Sequence, residues 1–328
     1  MHPHTIRAYN HLKNQTVSWL PMDTKEVFLE HQSNDDTRKA LKKLNWTEDN
    51  VKYKFNSQGF RSDDFNSKGD SIVWLGCSHT LGIGINFEDT ASYIVSRQLG
   101  YNCFNLGLAG GSNDTCFRFA YHWIEKLHPK IVVIMAPSIY RFEIAYNSIS
   151  GTDAPSDVRV ADCKNVDDAD AKLLFTNKRA SKLLYKNLNP VNIPSYGQAY
   201  GWGLTRPIPK EFESFYEIWI SEHQNSHFNF HKNILAIEQI CNKNDAKFVY
   251  TNSEFQCRPW PFVAKKSLYA RDLAHAGKIP NQLKSEEILD LINCFVPGRN
   301  NYYGQGFGRQ ACEVFHTECH RECLLCTL

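Results

Sequence analysis

The stretch Ser71-Ile-Val-Trp-Leu-Gly-Cys-Ser-His-Thr80 decides the fold, because an apolar run of strand length leads directly into a turn of small residues. A strand that ends in Gly-x-Ser and is followed by a helix is a recognised way to present a nucleophilic serine to solvent. The candidate nucleophile is Ser78. The alternative is an ordinary strand-to-helix turn, since a Gly-x-Ser triplet is common by chance.

A second chemical signal lies far downstream, in Arg271-Asp-Leu-Ala-His275. An acid and a base at this spacing are close enough for the Asp272 carboxylate to orient the His275 imidazole. The alternative is a surface hydrogen bond or a helix cap. Taken with Ser78, the pair predicts a hydrolase with a Ser-His-Asp triad.

Apolar runs and amphipathic segments alternate on both sides of the opening stretch. Repeated strand-helix units predict the α/β class, with a mostly parallel sheet covered by helices on both faces. Reactive groups then gather at the carboxyl ends of the strands. Strands are predicted at 72–75, 103–106, 131–135 and 247–251, and helices at 90–99, 115–127, 229–241 and about 285–292.

The chain divides into three parts in this interpretation: an N-terminal extension (1–50), a main domain (51–296) and a Cys-rich tail (297–328). The extension contains a predicted amphipathic helix at 35–44, capped by an Asp. A hairpin at 51–61 leads into the main domain. A long insertion at about 141–226 contains a predicted helix at 167–188, followed by an irregular loop at 189–203.

Composition excludes several classes of protein. A formal charge of +2 over 328 residues argues against a nucleic-acid surface, which needs a concentrated excess of Lys and Arg. No apolar segment has the length of a membrane span or a secretory signal, so we expect a soluble cytoplasmic protein. The 11 cysteines form an odd number spread over a long chain, which favours reduced thiols.

Four short blocks resemble, in their order, those of the SGNH hydrolases, the superfamily of GDSL-type esterases and lipases. The block at residues 56–61 resembles the segment that precedes the nucleophile block in some bacterial and phage members. The resemblance covers residues 51–296 and implies a flavodoxin-like three-layer fold. It also implies Ser78 as nucleophile, His275 as base, Asp272 as orienting acid, and the backbone N–H groups of Ser78 and Gly110 as oxyanion donors. The blocks are Asn56-Ser-Gln-Gly-Phe-Arg61, Gly76-Cys77-Ser78, where the family usually has Asp at position 77, Asn105-Leu-Gly-Leu-Ala-Gly110 and Asp272-Leu-Ala-His275.

This chain departs from the family pattern at a further block of the family, its third, which lies between the Asn105–Gly110 block and the Asp272–His275 block. Its Gly-x-Asn-Asp should follow the third strand, where this chain has Ala136-Pro-Ser-Ile139, with Ser138 at the asparagine position. A literal Gly111-Ser-Asn-Asp114 follows the second strand instead, and we interpret it as a decoy. Ser138 and Asn113 are the side chains open to the role of oxyanion donor.

Other residues near the blocks have two interpretations each. Arg141 follows the third strand and is a candidate to bind an anionic substrate group, or else forms an ordinary ion pair with Glu143. His79 is a candidate substrate contact and otherwise a local hydrogen-bonding residue. Cys77 is an alternative nucleophile, because a thiolate at a helix N-terminus is activated. Aromatic residues of the insertion and beyond suit sugar stacking or loop packing; these are Tyr196, Tyr200, Trp202 and Trp260.

The tail carries thiols and an imidazole at alternating spacings of four and three. On a helix these side chains share one face. A single straight helix cannot wrap four ligands around zinc, so a packing stripe is the favoured interpretation. No metal and no cofactor are predicted. The residues are Cys312, His316, Cys319, Cys323 and Cys326.

The sequence predicts a serine esterase that removes a small acyl group, such as acetate, from a carbohydrate or similar ester. One alternative is an O-acyltransferase, in which a sugar hydroxyl replaces water. The other is a binding or structural module that keeps the fold, such as a component of a virion or of a surface polysaccharide. The oligomeric state is left open.

Overall fold

A computed structural model describes residues 8–139, 141–147, 188–193, 223–252 and 268–293. The chain separates into two compact units, Met1–Glu286 and Glu287–Leu328. Within the described residues, no helix has the length and apolar character that crossing a membrane requires. The domain boundaries predicted at 50/51 and 296/297 stay predictions.

The described elements alternate between strands and helices through the central part of the chain. The strands are β1 (Thr16–Val17), β2 (Tyr53–Lys54), β3 (Ser71–Gly76), β4 (Asn102–Asn105), β5 (Ile131–Ala136), β6 (Phe142–Asn147), β7 (Leu188–Ile193) and β8 (Lys247–Asn252). The helices are α1 (Lys25–Ser33), α2 (Asp35–Lys43), α3 (Ser78–Leu81), α4 (Ala91–Gln98), α5 (Asn113–Leu127), α6 (His223–Lys243) and α7 (Lys278–Asn293), with short 3₁₀ turns at Asn10–Leu12 and Phe87–Asp89.

The central sheet has four parallel strands in the order β4-β3-β5-β8. Every residue of β3 and of β5 is buried, which means that both faces of the sheet are covered. Continuous apolar strands of this kind are typical of a parallel sheet between two layers of helices. The prediction of an α/β fold with a parallel sheet is confirmed.

The strand order determines which helix covers which face. The chain moves from β3 to β4 in one direction and then back across β3 to β5 in the other. Because parallel crossovers are right-handed, α4 lies on one face and α5 and α6 lie on the other. In agreement, α6 packs on α5, and the backbone N–H of Ala91 in α4 donates to Asn281 of α7 at 3.0 Å. This is the flavodoxin-like arrangement, with its switch point between β3 and β5.

Local capping explains why the helices begin where they do. Ser112 and Thr115 form a reciprocal capping box at the start of α5, and Thr90 caps α4. The cap of α2 is Asn34, not the predicted Asp, and Asp35 and Asp36 occupy its first turn instead. Helix α7 begins at Lys278, earlier than the predicted 285, because a proline is tolerated in the first turn of a helix.

The predicted hairpin at 51–61 is wrong. Strand β2 pairs antiparallel with β1, so its partner comes from the N-terminal segment and not from the residues that follow the turn. Tyr53 lies in an apolar cluster that joins this segment to the loop after Ser78 and to Ala270. Its buried members are Tyr9, Leu20, Phe28, Leu41, Trp46, Val51, Tyr53, Phe55, Leu81, Ile83, Ile85 and Ala270.

The insertion after β5 begins and returns as a two-stranded antiparallel ribbon, β6 with β7. The prediction of irregular loop is therefore wrong for 189–193, where cross-strand pairing overrides the Pro and Asn content. The predicted helix at 167–188 lies outside the described residues except for its last residue, Leu188, which begins β7. The rest of the loop, the four aromatic residues and the cysteine tail also lie outside them.

Candidate active site

Ser78 lies at the N-terminus of α3, directly after β3 and next to the switch point of the sheet. The turn requires a glycine at position 76, because a Cβ there would overlap the Thr80 side chain and come within 2.8 Å of the Met135 carbonyl oxygen. The backbone N–H of Gly82 donates to the Ser78 carbonyl at 2.9 Å and ends the helix. These contacts fix the backbone of the turn that carries Ser78 at the end of β3.

The second component is the acid–base loop, residues 270–275. It closes on itself through two backbone bonds, Ala270 N–H to the His275 carbonyl at 2.9 Å and Leu273 N–H to the Ala270 carbonyl at 3.0 Å. Asp272 Oδ1 accepts from the backbone N–H groups of Ala274 and His275 at 3.1 and 3.0 Å. The aspartate therefore shapes the loop that carries the histidine.

Ser78, His275 and Asp272 lie in one continuous hydrogen-bonded chain. His275 Nε2 is 2.8 Å from Ser78 Oγ, and His275 Nδ1 is 2.5 Å from Asp272 Oδ2. Because an ionised carboxylate only accepts, Nδ1 carries the proton and Nε2 accepts from the Ser78 hydroxyl. That tautomer is the one a general base needs.

The electrostatics of Asp272 favour its ionised form. Burial raises the pKa of this carboxyl, but the charge and hydrogen bonds of His275 and the N–H of Ala274 outweigh burial and hold the pKa below 3.8. A charged carboxylate next to an imidazole stabilises the imidazolium form of that ring.

Gly84 lets the loop after Ser78 approach the acid–base loop. Its backbone has a φ of +76°, in the left-handed region that favours glycine. A Cβ at this position would be 2.7 Å from the Ala270 Cβ and 3.2 Å from Asp272 Oδ1. The Gly84 carbonyl accepts from the Arg271 N–H at 2.9 Å. Side-chain bulk here would push the acid–base loop away from Ser78.

The loop that contains Gly110 is attached to the end of β3. Leu108 N–H donates to the Gly76 carbonyl at 3.2 Å, and Gly111 N–H donates to the Leu108 carbonyl at 2.8 Å. Gly110 has a φ of +72°, and no atom lies within 4 Å of where its Cβ would be. Among the described residues, no acceptor is bonded to the N–H of Ser78 or of Gly110. The oxyanion role predicted for these two groups stays a prediction.

Asn113 and Ser138 are the other predicted oxyanion donors; Asn113 begins α5 and contacts the chain just after β5, where Ser138 follows Pro137. Asn113 is buried, and its Nδ2 donates to the Pro137 carbonyl at 3.2 Å. Its Oδ1 has no hydrogen-bond partner among the described residues. Ser138 is partly exposed, and its carbonyl accepts from the Arg141 N–H at 3.1 Å.

His79 lies beside His275, and other positively charged side chains, including Arg141, act on its pKa. The His79 ring is 5.1 Å from the His275 ring, centroid to centroid. Burial, with the positive charges of His275, Arg141 and Lys284, lowers the pKa of His79 well below 6.5. Lys284, buried in α7, donates to Thr251 Oγ1 at 3.1 Å and was not singled out from the sequence. Lys284 precedes the helix predicted at about 285–292, so no local sequence signal indicated its burial.

Glu143 takes a partner other than the one considered from the sequence. Arg118 of α5 binds it through two bonds, at 2.6 and 2.8 Å, and Thr115 adds a third at 2.7 Å. Glu143 thus pairs with Arg118, and both interpretations of Arg141 stay predictions.

Arg61, the last residue of the block at 56–61, binds the backbone of the segment that follows Ser78. Its guanidinium donates to the carbonyls of Leu81, Gly82 and Ile85 at 3.2, 2.6 and 2.7 Å. A fourth bond, at 3.1 Å, goes to the Lys52 carbonyl. Burial lowers the pKa of Arg61 to about 10, so the side chain stays charged at neutral pH. The sequence marked this block only by resemblance.

Cys77 is 1% exposed, and the hydroxyl that bonds to His275 is that of Ser78. Four described cysteines are free and buried: Cys77, Cys103, Cys116 and Cys241. Burial raises the pKa of Cys103 to about 12, and it raises the pKa of Cys116 well above 9.0. Within the described ranges, no group of three or more metal-ligating side chains comes together.

Comparisons with known proteins add little to this geometry. No family model matches the chain, and no curated protein matches it. Among solved structures it is similar to a GDSL-like lipase from Bacteroides ovatus ATCC 8483, with 12% sequence identity and a TM-score of 0.28. The match covers 69% of this chain and 54% of the other, so the chain spans about half the length of that structure. A likeness at this level leaves the family of the chain open.

Proposed function

We propose that the protein is a serine esterase that hydrolyses a small acyl ester through Ser78, His275 and Asp272. The observation that carries the proposal is the unbroken chain from Ser78 Oγ to His275, at 2.8 Å, and from His275 to Asp272, at 2.5 Å. Residues 78 and 275 are 197 positions apart in sequence, so local structure alone does not account for their contact.

The mechanism follows from this arrangement. His275 Nε2 takes the proton of the Ser78 hydroxyl, and Oγ attacks the ester carbonyl. The N–H groups of Ser78 and Gly110 stabilise the oxyanion that forms. His275 then gives its proton to the leaving alcohol, and water releases the acyl group by the reverse sequence. Asp272 keeps the imidazole oriented throughout.

A small acyl group fits the site best. Ser78 is 4% exposed and His275 is 6% exposed, so the two side chains lie below the surface, and the sequence offers no strongly apolar lid segment for a long acyl chain. The cationic side chains of Arg141 and Lys284, which affect the pKa of His79, favour an acyl ester on a polar or anionic carrier such as a carbohydrate.

One observation favours a second candidate, a binding module without catalysis. Ala136-Pro-Ser-Ile139 lacks the asparagine donor of the third block, and the Asn113 amide is already bonded to Pro137. Loss of one oxyanion donor typically lowers kcat about 10²–10³-fold, so we expect a weakly active esterase rather than an inactive protein.

A serine-directed fluorophosphonate probe tests the proposal. We expect the folded wild type to be labelled at Ser78, and Ser78→Ala to lose both the label and hydrolysis of p-nitrophenyl acetate. Ser96→Ala is the matched control, because Ser96 is equally buried but bonds to Trp74 in the sheet. Folded wild type that takes no label and hydrolyses no ester would favour the binding module. Transfer of acetyl to an added sugar in preference to water would indicate an acyltransferase.

A further inference from the structure

Arg271 precedes Asp272 in the chain, and its side chain is buried among residues of the N-terminal segment (residues 8–50). It pairs with Asp23, with Nη2 to Oδ2 at 2.7 Å, and the two side chains are 0% and 1% exposed. Nε also donates to Asp23, to Oδ1 at 3.0 Å, while Nη1 donates to the Glu48 carbonyl at 2.8 Å and Nη2 to the Ser18 carbonyl at 2.6 Å. The guanidinium lies 4.0 Å from the centre of the Trp19 ring. Every contact here joins the neighbour of a triad residue to the start of the chain.

Two further hydrogen bonds join the same segment to the acid–base loop and its approach. His31 Nε2 donates to the Asp272 carbonyl at 3.2 Å, since a carbonyl oxygen only accepts. Trp46 Nε1 donates to the Tyr269 carbonyl at 3.0 Å. The segment therefore holds this part of the chain on both sides of Arg271.

Asp23 is itself held in position by the nucleophile side of the site. The Tyr53 hydroxyl donates to Asp23 and accepts from the Gly84 N–H at 2.7 Å. Gly84 lies in the loop after Ser78, and its carbonyl accepts from the Arg271 N–H. Asp23 thus connects, through Tyr53 and Arg271, the two loops that carry Ser78 and Asp272.

The acid–base loop needs such support because of its own backbone. Leu273 has a φ of +52°, in the left-handed region that residues other than glycine rarely adopt. Its side chain is partly buried against the apolar cluster described above, to which the N-terminal segment contributes Tyr9, Leu20, Phe28, Leu41 and Trp46. A strained conformation persists only when its surroundings determine it.

We propose that the N-terminal segment is part of the catalytic domain and that Asp23 is a positioning residue, which acts through Arg271 on Asp272 and His275. The inference deepens the proposed function and rests on it for its catalytic readout. Its structural readout, the opening of the acid–base loop, is independent of any activity.

The test compares Asp23→Asn and Trp46→Phe with Trp74→Phe. Trp46→Phe removes one indole N–H bond to the loop; Trp74→Phe removes one indole N–H bond, to Ser96, inside the sheet. We expect Asp23→Asn to lower kcat by about 10–100-fold with little change in KM, because a misplacement of about 1 Å costs on that order. Trp46→Phe acts in the same direction to a smaller extent, and Trp74→Phe leaves kcat unchanged.

Hydrogen exchange followed by mass spectrometry supplies the second readout. We expect amides of residues 268–277 to exchange about tenfold faster in the first two variants and at the wild-type rate in Trp74→Phe. If Asp23→Asn does not fold, Trp46→Phe decides. Wild-type exchange and kcat in the folded variants, or an equal change in Trp74→Phe, would overturn the inference. A wild type that neither hydrolyses esters nor takes the fluorophosphonate refutes the proposed function alone, because the exchange rates still test whether the segment holds the loop.

Discussion

At the scale of single residues, Gly84 determines how closely the two loops of the site approach. Gly84→Ala adds a methyl group 2.7 Å from the Ala270 Cβ, so we expect it to displace the acid–base loop and lower kcat. Its cost in the free energy of unfolding combines backbone strain with overpacking, each about 1–3 kcal/mol. Urea unfolding and ester hydrolysis measure the two effects.

Gly100→Ala is the matched control for this prediction. Gly100 has a φ of +73°, close to the +76° of Gly84, and no atom lies within 4 Å of its Cβ position. Gly100→Ala therefore introduces similar backbone strain without a steric contact at the new methyl group. Equal losses of stability and activity in the two variants would show that the approach of the loops is unimportant.

Sequence patterns identified the residues whose roles depend on their near neighbours in the chain. Ser78 follows a strand within a small-residue turn, and Asp272 and His275 lie within one turn of each other. Lys284 and Asp23 were not identified, because their positions follow from contacts with residues distant in sequence. A buried charge of this kind has no local signature, since its partner defines it.

At the scale of elements, Arg61 connects β2 to the loop that follows α3. Removal of the guanidinium takes a donor from four carbonyls, of which that of Gly82 alone also accepts a backbone hydrogen bond among the described residues, from the Ile85 N–H at 3.5 Å. We expect Arg61→Met to lower the free energy of unfolding by at least about 3 kcal/mol, since hydrogen bonds to charged groups contribute about 1.5–3 kcal/mol each. Urea unfolding followed by circular dichroism measures the loss.

Arg97→Met provides the comparison for Arg61. The Arg97 side chain is 42% exposed and pairs with Asp63 at 2.8 Å, near the surface. Exposed pairs contribute about 0–1 kcal/mol, so this variant should lose little stability. If Arg97→Met lost as much stability as Arg61→Met, the buried bonds from Arg61 to carbonyls would contribute no more than an exposed ion pair.

The central strands and helices were predictable because their apolar periodicity is local. The pairing of β1 with β2, the ribbon of β6 with β7 and the early start of α7 were not. Each pairing joins segments tens of residues apart, and strand pairing of that kind depends on register and burial more than on composition. A proline next to a helix start gives the same local signal whether it precedes the helix or lies in its first turn.

At the scale of the whole molecule, Asp272 contributes a defined part of the dependence of stability on pH. Its pKa is lower in the folded chain than its ordinary value of 3.8, so its ionised form favours folding. That contribution is complete above pH 3.8 and is lost as the pH falls through the lowered value. Asp23 and Asp114 act in the opposite sense, because burial raises the pKa of each and their contribution is lost as the pH rises.

We therefore expect Asp272→Asn to reduce the loss of stability between pH 6 and acid conditions. Urea unfolding of the variant and of the wild type at a series of pH values measures the difference. Asp36→Asn is the control, since Asp36 is exposed in the first turn of α2. Identical pH profiles for wild type and Asp272→Asn would contradict the assigned electrostatics.

The contact between Asp23 and Arg271 spans 248 positions of the chain, and this separation has a consequence for synthesis. A nascent chain can form β3 and the turn at Ser78 long before Arg271 has been made. His275 and Asp272 reach Ser78 only after nearly the whole first unit has been translated, because contacts between distant residues are the slowest to form. The Ser78 hydroxyl thus gains its imidazole partner late in folding, and a chain truncated before residue 270 would lack that contact.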